Sequence, residues 1–85
     1  MLYVKDLKKG QVVYDCYCGE NLKVTVTDDP IIEGEDYRVK VITDNGKVFD
    51  LYQNTKHLWL GPKLYNEPEY YTFKDGVSVP NNVEI

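Results

Sequence analysis

Cys16, Cys18 and His57 are the side chains of this 85-residue sequence best suited to nucleophilic or metal chemistry. Two cysteines one residue apart on an extended strand share a face at about 6.8 Å, beyond ordinary disulfide geometry. With the lone histidine they supply at most three soft ligands, short of a closed zinc site. A Cys–His nucleophile pair needs an accessible thiolate beside its base. Cys16 and Cys18 fall at a core-facing phase and His57 in a polar connection, so reduced, partly buried thiols are expected, with no metal and no catalytic residue. The grouped carboxylates Asp28-Asp29, Glu33/Glu35/Asp36 and Glu67/Glu69 lie beside Pro or Gly, where solvated turn residues belong. Gly34, Gly46 and Gly76 are isolated turn glycines and build no phosphate-cradling loop.

The aromatic residues carry more promise. Strand alternation turns Tyr52, Trp59, Tyr65 and Tyr70 away from the core, with Lys56, His57 and Lys63 close by in sequence. Amphipathic rings concentrate at binding hot spots because they bury area while keeping a polar tip. Tyr52, His57, Trp59, Lys63, Tyr65 and Tyr70 are therefore the candidate binding residues. The same rings also suit a homodimer seam or a cover for a thin core. The leading expectation is a non-enzymatic module docking on a protein partner. The alternative is a nucleotide-binding, sequestering protein that stacks a base on these rings and holds phosphates with Arg38, Lys56, His57 and Lys63. No cofactor is expected under either reading.

Length and charge narrow the field further. Residues 1–85 make one domain, and a chain this short buries only about 60–65% of its unfolded surface. The formal charge is −4 with both signs interspersed, so general nucleic-acid binding, which needs a basic footprint, is disfavoured. No apolar run is long enough to span a membrane, and Met1-Leu2-Tyr3-Val4 runs into charges too soon for a leader. A cytoplasmic compartment is the expectation.

Those side chains must be positioned by strands. Alanine is absent, and the apolar positions go to Val, Ile, Tyr and Leu, which fit pleated surfaces. Gln11 to Tyr17 reads as the first strand. Pointing Asp15 to water puts Val12, Tyr14 and Cys16 inside and Val13 and Tyr17 outside. Leu22, Val24 and Val26 alternate inward along the second strand, which Asp28-Asp29-Pro30 stops. Asp44-Asn45-Gly46 marks a hairpin over Tyr37–Tyr52. A two-residue Asn45-Gly46 turn wastes a buried position on Asp50. A three-residue loop with Gly46 left-handed pairs Val41 with Phe49 and Val39 with Leu51, and sets Lys40 against Asp50 on the wet face. Gln53–His57 is a polar connection holding at most one short helical turn. Leu58-Trp59-Leu60 reads as a brief strand with both leucines inward. Leu64-Tyr65 resumes a strand, Tyr71 and Phe73 point in, and Asp75-Gly76 turns into Val77-Ser78-Val79. The sum is an all-β fold: a small barrel of six or seven short antiparallel strands, one layer closed on itself.

Two segments resemble the SH3-type barrel. Leu7-Lys8-Lys9-Gly10-Gln11-Val12-Val13 is similar to that family's "FKKGD" turn and strand, and Val79-Pro80-Asn81-Asn82-Val83 to its closing "PSNYV". The likeness covers about a sixth of the chain and implies SH3-like barrel architecture. The family's "ALYDY" strand and Trp-Trp pair have no counterpart, and Asn82 stands at the closing Tyr. Those residues line the Pro-rich peptide groove, so groove function is not implied. The chain as a whole also resembles the small one-domain accessory proteins of bacteriophages, which implies docking on and modulating a host protein.

Overall fold

The Lys8-Lys9-Gly10-Gln11 turn works as its residues dictate. Gln11 donates back to the Lys8 carbonyl at 3.0 Å, and Gly10, with φ of 89°, takes the third position, which requires positive φ. Gly10 N–H then reaches the Val26 carbonyl at 2.8 Å, and Lys9 N–H reaches Asp29 Oδ1 at 2.9 Å. The turn is thereby stitched to the end of the second strand before the first begins.

The computed structural model describes residues 2–16, 20–68, 71–74, 77–80 and 82–83. After a 3-10 turn at Val4–Asp6 come strands β1 (Val12–Asp15), β2 (Glu20–Val26), β3 (Ile31–Glu33), β4 (Asp36–Thr43) and β5 (Val48–Asn54). Short β6 (Leu64–Tyr65), β7 (Tyr71–Lys74), β8 (Val77–Pro80) and β9 (Asn82–Val83) follow. The fold is all-β, a curled sheet forming a half-barrel, with backbone order β3-β4-β2-β1-β6, β5 on the far edge of β4 and β9 on β2. Nine strands are described where six or seven are expected, and Thr27–Pro30 divides the run along one edge of β4 into two halves, β2 and β3. Both halves pair with β4, Val26 against Val41 and Ile31 against Arg38. The β2–β9 pair is parallel, the exception to antiparallel order, and β7–β8 forms a separate hairpin with Lys74 opposite Val77. No helix of the described residues is long and apolar enough to cross a membrane.

Among the described residues the sheet does not close strand to strand. β5 and β6 are the two ends of the curl, and the amino-terminal segment fills the seam between them. Leu2 N–H donates to the Leu64 carbonyl at 2.8 Å, adding a bridge outside β6. Two residues later, Val4 N–H donates to Gln53 Oε1 on β5 at 2.7 Å. Val4 and Leu7 of this segment are buried with Val13, Val24, Val26, Val39, Val41, Leu51 and Leu64 to make the core. Valine dominates that cluster, as suits pleated strands facing a narrow interior.

The hairpin register is the three-residue one. Val39 lies opposite Leu51, Lys40 opposite Asp50 and Val41 opposite Phe49. Gly46 has φ of 87°, and its N–H returns to the Thr43 carbonyl at 3.0 Å. Val39, Val41 and Leu51 are buried, Phe49 packs half-buried against them, and Lys40 is exposed. Asp50, expected to be open to water, is half-buried.

The phase of β1 is the reverse of the expectation. Val13 is fully buried and Val12 is 42% exposed, because Val13 sits opposite the core residue Val24 and cross-strand partners share a face. Asp15, expected in water, is opposite Leu22 and Leu64 and half-buried on that same inward side. Tyr14, expected inside, is half-buried opposite Tyr65. Cys16 lies inward as expected, but beyond the strand end. Tyr17 and Cys18, and the side chains of Tyr71 and Phe73, lie outside the described residues.

Candidate functional site

The segment between β5 and β6 is a chain of tight turns rather than a strand. Asn54 Oδ1 accepts from Lys56 N–H at 3.0 Å and from His57 N–H at 2.8 Å, the side-chain capping that favours Asn at turn starts. Leu60 N–H returns to the His57 carbonyl at 2.9 Å, and Asn54 N–H reaches the Leu60 carbonyl at 3.0 Å. From beneath, Gln53 Nε2 donates to the Leu58 carbonyl at 2.7 Å. Gly61 packs so closely on Gln53 that an added Cβ would lie 3.1 Å from the glutamine's own. The Leu58–Leu60 strand of the sequence reading is therefore absent. A strand's alternation does not apply, and Leu60 is 46% exposed instead of inward.

This loop carries Trp59 outward at 73% exposure, the most open large hydrophobic side chain among the described residues. The exposed His57 ring stands beside it, centroids 6.0 Å apart and tilted by 58°. Lys63 and Tyr65 are half-buried, with the ammonium 5.8 Å from the ring centroid, within cation–π range. Tyr52 is 47% exposed and lies opposite Arg38. The candidates thus assemble as His57 with Trp59, Lys63 with Tyr65, and Tyr52 with Arg38. Tyr52 and Tyr65 do not sit on adjoining strands, since β5 pairs with β4 and β6 with β1. Tyr70 lies outside the described residues.

A second surface escaped the sequence. On the outer face of β3, β4 and β5, successive rows read Ile31–Arg38–Tyr52, Lys40–Asp50 and Ile42–Val48. Asp28 and Asp29, at the break between β2 and β3, join Ile31, Arg38, Lys40 and Asp50 around a cleft of about 270 Å³. Arg38 is held by Glu33 at 2.7 Å, and Asp29 accepts the Lys9 N–H. Asp50 Oδ1 is shielded from solvent and has no hydrogen-bond partner among the described residues. Only the strand break brings Asp28-Asp29 to this face, and no local pattern signals it. A third depression, of about 560 Å³, lies at the hairpin end between Leu22, Thr43, Asn45, Lys47 and Phe49.

Cys16 is a buried thiol whose Sγ donates to Asn21 Oδ1 at 2.9 Å, remote from nucleophilic use. Among the described residues no three His, Cys, Asp or Glu side chains converge as a metal site. No family model, curated protein or solved structure matches the chain.

Proposed function

We propose that this chain is a non-enzymatic protein-binding module whose docking element is the Trp59 loop. The observation that carries the reading is an open indole on a loop fixed by five hydrogen bonds through Asn54, Gln53 and Leu60. A rigid aromatic anchor loses little conformational entropy on binding, which is why Trp is enriched among interface hot spots. His57 and the exposed Leu60 widen the contact around it. The bacteriophage resemblance makes a host protein the first partner to seek.

The test compares the wild-type chain with Trp59→Ala in affinity capture, beside a thermal-shift screen with nucleotides. A stoichiometric partner held by the wild type and lost by Trp59→Ala supports the reading. The variant's melting temperature should stay within about 4 °C, since exposed substitutions cost under about 0.5 kcal/mol. A nucleotide that raises the melting temperature, or a partner retained by Trp59→Ala, overturns it.

A further inference from the structure

Thr43 N–H donates to the Lys47 carbonyl at 2.9 Å, which sets the hydrogen-bonding phase of the β4–β5 ladder. Bonded pairs alternate with non-bonded ones in an antiparallel ladder. Val41–Phe49 and Val39–Leu51 are therefore bonded pairs, while Ile42–Val48, Lys40–Asp50 and Arg38–Tyr52 are not. It follows that the N–H and C=O groups of Val48, Asp50 and Tyr52 face away from β4. Asn54 shows the same phase, its N–H turning outward to the Leu60 carbonyl. Among the described residues, no strand pairs with β5 on that side. The edge is flanked by Val48 and Tyr52, 52% and 47% exposed, with Asp50 between them.

We propose that this edge of β5 accepts an extended peptide strand with Lys or Arg opposite Asp50 and β-branched or aromatic residues two positions to either side, over Val48 and Tyr52. An added strand takes its affinity from main-chain bonds and its specificity from alternate side chains. The residue directly opposite Asp50 shares its face at cross-strand contact distance. A cationic donor there faces Asp50, whose Oδ1 has no hydrogen-bond partner among the described residues and which closes one side of a cleft of three carboxylates and two cations, one of them tied to Glu33. The net charge of −4 favours a basic segment in the same sense. A second copy of the chain is the poorer occupant. The two-fold register that bonds Val48, Asp50 and Tyr52 of both copies sets Asp50 against its own counterpart, and like charges directly opposite repel. This edge adjoins the Trp59 loop at Asn54 but the peptide register uses no residue of that loop, so either reading can fail alone.

The probe is a random-peptide display library selected on the wild-type chain, with enriched sequences then synthesised. Enriched peptides should carry a central Lys or Arg between β-branched or aromatic residues. N-methylation of the alternate amides that face β5 should abolish binding. Asp50→Asn should weaken it about tenfold or more, as expected for loss of a charge-assisted hydrogen bond. Val48→Pro removes an outward N–H without breaking a ladder bond and should weaken it as well. Trp59→Ala should leave it unchanged. The proposal is overturned if nothing enriches, if the motif is acidic or uncharged, or if N-methylation has no effect. It is also overturned if sedimentation finds a dimer that Val48→Pro dissociates, because a second copy then holds the edge.

Discussion

Gln53 Oε1 accepts the Val4 N–H at 2.7 Å across 49 residues of chain, inside the core. The same amide donates from Nε2 to the Leu58 carbonyl at 2.7 Å. One buried side chain therefore ties the amino-terminal turn to β5 and holds the loop that displays Trp59. A backbone seam between β5 and β6 would satisfy these groups with a ladder. Here a glutamine and the amino-terminal segment do so instead.

Gln53→Leu should destabilise the fold by about 2–4 kcal/mol in urea titration. Hydrophobic volume is kept, but Val4 N–H and Leu58 C=O lose their Gln53 partners, at about 1–3 kcal/mol for each buried group left unsatisfied. Gln53→Glu should be pH-sensitive in a known direction. Burial disfavours the charged carboxylate and raises its folded-state pKa above the unfolded value. Stability is then retained below the unfolded pKa and falls as pH rises through the folded one. A pH-independent Gln53→Glu protein would place this side chain in water.

Gly46→Ala should cost about 1–2 kcal/mol in thermal unfolding, because a Cβ at φ of 87° meets the left-handed penalty of L residues. Open space surrounds the position, so the cost is conformational rather than steric contact with neighbours. Gly46→Asn should cost less, since Asn tolerates this region better. Equal losses for both would point to a changed loop rather than a strained one.

Cys16 should be protected from thiol reagents in the native protein. In a Cys18→Ser variant, disulfide-exchange labelling should be slow in buffer and complete in urea, because Cys16 is 1% exposed and its Sγ is bonded to Asn21. Rapid labelling without denaturant would show that the β1 end opens locally.

The parts of the fold readable from residues are those set by neighbours in sequence. The Thr43–Lys47 loop needs a glycine at one position, and alternation on either side then selects between two registers that differ by one residue. The Lys8–Gln11 turn and the inward set Leu22, Val24 and Val26 follow from equally local rules. Where the structure inverts an expectation, the type of a single residue is outweighed by its surroundings. Asp15 belongs in water by residue type, whereas Val13 is drawn inward by Val24 across the ladder and carries Asp15 with it. Leu60 points inward only if strand alternation holds, whereas the Asn54-capped turns leave no strand for that phase to follow.

By itself the sequence determined an all-β chain and its main hairpin, because turn chemistry and period-two burial act over a few residues. Only the tertiary structure decided how the curl is sealed and what meets on its outer face. Gln53 is polar at a phase where apolar residues belong, and its role exists only once Val4 arrives from the other end of the chain. Asp28 and Asp29 read as solvated turn residues until the break between β2 and β3 carries them to the cleft of Arg38, Lys40 and Asp50. Contacts of that range depend on the path of the whole chain, and no local window of residues encodes them.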